Sequence, residues 1–325
     1  MALLLTEEDV RDLLPPADLI AAMEEALAAF SGGEVTQPVR TALQTGARRN
    51  FFGVMPAYLP SPAALGIKLV TVFDENHKHG LPSHLATVLL MNPETGALEV
   101  VMDGRYITEM RTAAVSAVAA ARLARRDASK LAVLGSGVQA RSHVALLSRV
   151  CALREIRAWS PTRDHLERFV RDAAPLTTAR LHSAASAEEA VRGADVIALV
   201  TSSPTPVLQS DWVSPGTLVI SVGACRPDTR EMDPALVARA RVVVDSRAAA
   251  LVESGDIVQG IREGRWTESH IAAELGEVFL GRPPGHVADD VVIFKSLGLA
   301  VEDVAAARLV YSRAQEQGRG IAIRL

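Results

Sequence analysis

The sequence predicts an α/β protein with two parts: a Rossmann-type domain built on a doubly wound parallel sheet, and a smaller α+β domain whose sheet is mostly antiparallel. Three observations predict it. Between residues 35 and 103 short apolar runs follow one another with Pro and Gly breaks and no helical stretch between them, the texture of an antiparallel sheet. From about residue 130, strand-like runs alternate with helical or loop segments, the rhythm of a parallel sheet with crossover helices. Where that alternation begins, LAVLGSGVQARSHV joins an apolar strand to a helix through a glycine-rich turn.

Each element follows in order. After a short LLL, Thr6 with Glu7, Glu8 and Asp9 marks a helix start, and ADLIAAMEEALAAFSGG reads as an amphipathic helix stopped by Gly32 and Gly33. The runs TQPVRTALQ, NFFGVMPAYLP, LGIKLVTVF, SHLATVLLMN and GALEVVMDG are the expected strands, with PETG as the hairpin turn between the last two. From residue 107, ITEMRTAAVSAVAAARLARRDAS forms a long Ala-rich helix carrying Arg111 and Thr112 near its start. The strands KLAVLG, EIRAWS, ADVIALV, TLVISVG and RVVVDS make the parallel sheet. The tail, from SLGLAVEDVAAARLVYSRA, is a helix expected to return to the first domain. The expected division is therefore 1–112 with 299–325, against 113–298.

The 325 residues are 49% hydrophobic and 22% charged with a net charge of −4, enough for a large core and about two domains. Lys and Arg are scattered, so no basic stripe for nucleic acid is present. The opening MALLLTEEDV lacks a basic n-region and no apolar run approaches about 18 residues, which disfavours secretion and membrane insertion. Cys151 and Cys225 lie far apart without CxxC spacing, suiting neither a disulfide framework nor a zinc site. A reducing cytoplasm is the expected setting, with no metal.

Lys68 interrupts the apolar run LGIKLVTVF. An ammonium buried there costs several kcal/mol, roughly, unless it is paired, so a partner is required.

Gly135, Gly137 and Ala140 stand at GxGxxA spacing after a strand and at the opening of a helix. Gly135 makes the tight turn, Gly137 lets backbone N–H groups reach a pyrophosphate, and Ala140 permits close helix packing. An NAD-binding unit usually ends its second strand with an acid for the ribose 2′-hydroxyl. Here EIRAW is followed by Ser160, Pro161, Thr162 and Arg163, while Glu155 opens the strand on the wrong side. Hydroxyls and a guanidinium suit a 2′-phosphate, so NADPH is expected over NADH. The alternative is that Arg163 is only a solvated helix charge.

The order and motifs resemble the ornithine cyclodeaminase/mu-crystallin family over nearly the whole chain, most nearly its mu-crystallin, or ketimine reductase, branch. The resemblance is carried by TQPVRT (36–41), FFGVMPAY (51–58), LPSHLATVLL (81–90), VMDGRYIT (101–108), MRTAAVSA (110–117), LGSGVQA (134–140), VGACRPDTREMD (222–233), ESGD (253–256), AELGEV (273–278) and FKSLGLAVED (294–303). It implies a homodimer, with the sheet domain supplying the dimer contact and much of the substrate pocket. By that resemblance Arg40, Lys68 and Arg111 face a substrate carboxylate, which would be the partner of Lys68; a structural pairing of the arginines with acids such as Asp103 is the alternative. Glu253 resembles a pocket acid. Ser83, His84, Arg111, Thr112, Val138, Gln139, Thr201, Ser202, Val222, Lys295 and Ser296 resemble cofactor contacts, alongside the glycine turn and Ser160, Thr162 and Arg163. His84 and Glu253 equally suit a core histidine and a solvated helix acid.

One position departs from the pattern. Cyclodeaminases and related alanine dehydrogenases carry an aspartate where VGACRPDTREMD places Cys225, and a thiol does not replace a carboxylate. Asp228 has a plain place in a Pro-Asp turn. The reaction the resemblance implies is hydride transfer from NADPH, or NADH, to the C=N bond of a cyclic imino acid of the piperideine- or pyrroline-2-carboxylate type, with Lys68 or water as proton donor. Its rivals are a cyclodeaminase or amino-acid dehydrogenase using NAD, and a ligand-binding protein that keeps the nicotinamide site without turnover.

Overall fold

The computed structural model describes residues 1–46, 50–282 and 289–324. The chain forms two compact units, Met1–Arg111 with Gly298–Leu325, and Thr112–Leu297.

The first unit opens with β1 (Ala2–Leu5) and α1 (Glu7–Leu13), whose start is fixed by a reciprocal cap between Thr6 and Asp9. Next, α2 (Pro16–Ser31) begins at a proline and ends on Gly32. A meander of β2 (Thr41–Thr45), β3 (Asn50–Pro60), β4 (Ala63–Val72), β5 (His84–Met91) and β6 (Leu98–Asp103) follows, antiparallel throughout. The expected turn at PETG closes β5 onto β6, with the Asn92 side chain accepting the Glu94 and Thr95 amides at 3.0 Å. Parallel pairing of β1 with β6, and antiparallel pairing of a C-terminal strand (Ile321–Ile323) with β1, complete a sheet of seven strands among the described residues. The C-terminal helix (Ala300–Gln317) packs on α2, β3, β4 and β5 and belongs to this unit.

Helix α3 (Arg105–Leu123) starts two residues before the expected position because the Asp103 carboxylate accepts the Tyr106 amide at 2.9 Å and caps it. The division between units falls within this helix, after Arg111.

The second unit alternates β7 (Lys130–Leu134), α4 (Val138–Val150), β8 (Glu155–Trp159), α5 (Arg163–Ala173), β9 (Arg180–Ser183), α6 (Ala187–Val191), β10 (Val196–Leu199) and β11 (Leu218–Ser221). After these come α7 (Pro234–Arg239), β12 (Arg241–Val244), α8 (Arg247–Glu253), α9 (Gly255–Arg262), β13 (Ile271–Glu274), α10 (Leu275–Phe279) and β14 (Val292–Lys295). Among the described residues its eight strands are parallel, ordered β13-β12-β14-β11-β10-β7-β8-β9. The central ones are buried along their length, as a sheet covered on both faces requires. Chain order runs outward in opposite directions from β7 and β10, so their carboxyl ends form the switch point at which such sheets bind ligands. The four-residue strands β9, β13 and β14 were not expected from the sequence.

Candidate active site

Lys68 sits on β4, opposite Met55 and Val88, with 2% of its surface exposed. Its partner lies within the chain: Nζ is 2.5 Å from Oδ2 of Asp303, in the first turn of the C-terminal helix. Arg111 converges on the same acid, donating from Nε to Asp303 Oδ1 at 3.0 Å and from Nη1 to Glu302 Oε2 at 2.6 Å. The acids that hold Arg111 are thus Glu302 and Asp303, because Asp103 is engaged in capping α3. Arg40, half-buried, donates to the Gly298 carbonyl at 2.9 Å. Gly298 has φ +80°, and a Cβ there would lie 2.3 Å from Arg111 Nη1, so only glycine lets the backbone pass this guanidinium. The three cations that the family resemblance singled out are brought together in one unit.

Each of these charges acts on its neighbours. Burial, with the positive charges of Arg111 and Arg40 added to it, brings the Lys68 ammonium down to about 8 although Asp303 opposes this. His84, at the start of β5, is held near 4 by burial and by the charges of Lys68 and Arg111, and so stays neutral. For Arg111 burial works against the charge, but Asp303 and Glu302 outweigh it. For Asp303 burial is likewise outweighed, by Arg111 and Lys68, and the carboxyl stays well below its ordinary range. The positive potential at Lys68 and His84 is a place suited to an anion.

In the second unit, Gly135 turns the chain after β7 with φ +121°, and a Cβ there would lie 2.5 Å from the Val200 carbonyl oxygen. Gly137 is the N-cap of α4, has no side chain with which to cap it, and faces open space. Ala140 is fully buried. Val138 and Gln139 supply the first-turn amides, and Gln139 Oε1 is buried without a hydrogen-bond partner among the described residues. An open cradle at an uncapped helix N-terminus, with an orphaned polar atom beside it, fits a dinucleotide pyrophosphate.

Ser160, Thr201, Val222 and Ser296 follow the carboxyl ends of β8, β10, β11 and β14, with exposed Ser202 one residue beyond. Thr112 is buried in α3, exposed Ser83 precedes β5, and half-buried Glu253 closes α8. Thr162 is the N-cap of α5, and its side chain makes no capping bond. Arg163 departs from expectation: it is 88% exposed and paired with Glu167 at 2.8 Å, the solvated helix charge of the alternative reading.

Lys295 departs as well. Its ammonium is fully buried, 3.6 Å from Asp256 and donating to Ser221 Oγ at 3.1 Å. Burial opposes that charge, and Asp256, with Glu231 and Asp245 also near, outweighs it. Glu231, missed in the sequence, accepts the amides of Thr201, Gly223 and Ala224 at 3.1, 2.7 and 3.1 Å, tying together the loops after β10 and β11. Cys225 donates its thiol to the Val222 carbonyl at 3.0 Å and packs against the sheet core. Asp228 is exposed beside Arg226.

A doubly wound unit with a dinucleotide-type cradle, and a sheet unit with a buried cationic cluster, define the class. The chain belongs to the ornithine cyclodeaminase/mu-crystallin family, whose model matches residues 1–318. It is 45% identical over 311 residues to the ketimine reductase mu-crystallin of Mus musculus, covering 94% of this chain and 96% of the relative. Among solved structures it is similar to the Thermococcus litoralis Δ1-pyrroline-2-carboxylate reductase in complex with NADH and L-proline, with 35% identity, a TM-score of 0.96 and coverage of 99% and 100%. It is also similar to an archaeal alanine dehydrogenase dimer with bound NAD, with 32% identity, a TM-score of 0.94 and coverage of 99% of both chains. No helix among the described residues is long and apolar enough to cross a membrane.

Proposed function

We propose that the protein reduces the C=N bond of a small cyclic imino acid, of the piperideine- or pyrroline-2-carboxylate type, using NADPH in preference to NADH. The observation that carries this reading is the convergence of Lys68 and Arg111 on Asp303 beside Arg40. Two guanidiniums and one ammonium can grip a carboxylate through charge-assisted bonds and fix the ring to which it is attached. The reductases named above are relatives of matching length, which supports the reaction class.

The nicotinamide cofactor supplies the hydride when bound, and Gly135, Gly137, Val138 and Gln139 would hold its pyrophosphate. The chain's own task is then to orient the imine and to deliver one proton to nitrogen. Lys68 suits that second task, because an ammonium with a pKa of about 8 releases its proton far more readily than an ordinary lysine. Neutral His84 adds no competing charge. Cys225, donating to a backbone carbonyl, supplies no carboxylate base of the kind a cyclodeaminase needs, which favours reduction over deamination. NADPH is preferred because Ser160, and no acid, follows β8. A homodimer is proposed in keeping with the archaeal dimer, and a cytoplasmic setting with the free cysteines.

Loss of NADPH absorbance on a panel of imines tests the reading. Pyrroline-2-carboxylate and piperideine-2-carboxylate are expected to be reduced, and Δ1-pyrroline, which lacks the carboxylate, to be reduced at least about a hundredfold less well, the scale of losing charge-assisted bonds that a site is built to make. NADPH left unoxidised by every imino acid overturns the assignment. Ammonia released from ornithine without net cofactor change would select the cyclodeaminase, and tight NADPH binding without turnover the binding protein.

A further inference from the structure

We propose that Arg141 and Arg168, with His165 and Ser136 beside them, form the site for the 2′-phosphate of the dinucleotide. The inference rests on the nicotinamide-cofactor reading above and names which residues set its preference. These four residues and Phe169 line a cavity of about 200 Å³. Ser136 is the middle residue of the Gly135-Ser136-Gly137 turn, so the cavity adjoins the pyrophosphate cradle. Its hydroxyl donates to Ser160 Oγ at 2.9 Å, joining that turn to the residue after β8 where an NAD-type unit carries its ribose acid. The cavity therefore lies where an adenosine ribose would place its 2′-substituent, and no carboxylate lines it to repel a phosphate.

Arg141 is half-buried, and His165 and Arg168 are exposed. Among the described residues no carboxylate lies within ion-pair distance of Arg141, His165 or Arg168, whereas Arg163, on the same helix, is committed to Glu167. His165 and Arg168, three residues apart, share one face of α5. Arg141 comes from the first turn of α4, and buried Phe169 closes the floor. Arg141, half-buried, and Arg168, exposed, come from two helices onto one cavity, and two guanidinium forks beside it match a phosphate monoester dianion in charge and in hydrogen-bonding capacity. The sequence motif that pointed to a 2′-phosphate thus reaches it through two arginines other than the one next to β8.

Dissociation constants measured by calorimetry test this on the full-length protein, with NADPH, NADH, 2′,5′-ADP and 5′-AMP as ligands. Wild type is expected to favour NADPH over NADH and 2′,5′-ADP over 5′-AMP. Arg141→Gln and Arg168→Gln each weaken the two 2′-phosphorylated ligands roughly ten- to hundredfold, the scale of a hydrogen bond to a charged group, and leave NADH and 5′-AMP within about twofold. The double variant abolishes the preference. If the double variant keeps the preference, or Arg163→Gln loses it, the site is misassigned while the NADPH reading stands. If wild type shows no preference for NADPH, both fail, and if no dinucleotide binds, the cofactor reading fails beneath them.

Discussion

Replacing Asp303 by asparagine lowers stability at pH 7 by about 3–5 kcal/mol, the scale of breaking a buried ion pair by removing one member, which corresponds to a melting temperature lower by on the order of 10 °C. The reason is geometric. Asp303 is the shared counter-ion of two cations, Lys68 at 2.5 Å and Arg111 at 3.0 Å, each almost without solvent exposure. Arg111 keeps Glu302, so the deficit concentrates on Lys68, which escapes it only by losing its proton. The folded-state pKa of Lys68 already lies below the ordinary 10.5, and the variant takes it lower still. Between the two values the unfolded chain binds more protons than the folded one, so stability rises with pH in that window. The gap between Asp303→Asn and wild type therefore narrows when melting is measured at pH 9 instead of pH 7. A variant as stable as wild type at both values would show that the pair is not a buried ionic contact.

Replacing Lys68 by methionine is expected to reduce kcat/KM for imino-acid reduction by about 10³–10⁴. Loss of a positioned proton donor accounts for roughly 10²–10⁴, and the missing ammonium weakens the carboxylate clamp besides. Methionine fills the volume between Met55 and Val88, and Arg111 remains on Asp303 as its counter-ion, so kcat/KM is normalised to the folded fraction measured by melting. The pH profile carries the finer test. With the Lys68 pKa at about 8, kcat/KM of the wild type falls as pH rises through 8, because the donating ammonium is lost; kcat/KM reports the free enzyme, where this value applies. In Lys68→Arg the charge cannot be lost at that pH, so residual activity is low and its limb near 8 disappears. If the limb persists unchanged in Lys68→Arg, the titrating group is the substrate imine and Lys68 is not the donor.

Much of this architecture was legible because it is written locally. The Thr6–Asp9 cap, the glycine stop after α2, the Asn92 turn and the change from clustered strands to alternating strands and helices all depend on neighbours a few residues apart. The glycine cradle was legible for the same reason: Gly135, Gly137 and Ala140 act within one turn. Strands β9 and β13 escaped because RLHS and IAAE are short edge strands that carry polar residues, whereas the equally short β10, β11 and β12 show as apolar runs; β14, VIFK, is a central strand whose apolar run is only three residues before Lys295.

The site was legible on one side only. A lysine in an apolar strand showed that a counter-charge had to exist, but Asp303 lies 235 residues away, and no local rule links the two. The acids carry the matching signal: Glu302 and Asp303 stand among Ala300, Val301, Val304 and Ala305 in a helix whose start is wholly buried, where two carboxylates need cations as much as Lys68 needs an acid. Arg163 misled for the opposite reason. It follows β8 directly, but its i,i+4 partner Glu167 holds it on the surface.

A crystal structure with the oxidised cofactor and a cyclic amino-acid product such as L-proline or pipecolate tests the central claim most directly. The product carboxylate is expected within hydrogen-bonding distance of Arg40, Lys68 and Arg111, with the ring carbon that received hydride turned to the nicotinamide. A product whose carboxylate is held elsewhere, with these three side chains directed away from it, would show that the cationic cluster does not bind substrate.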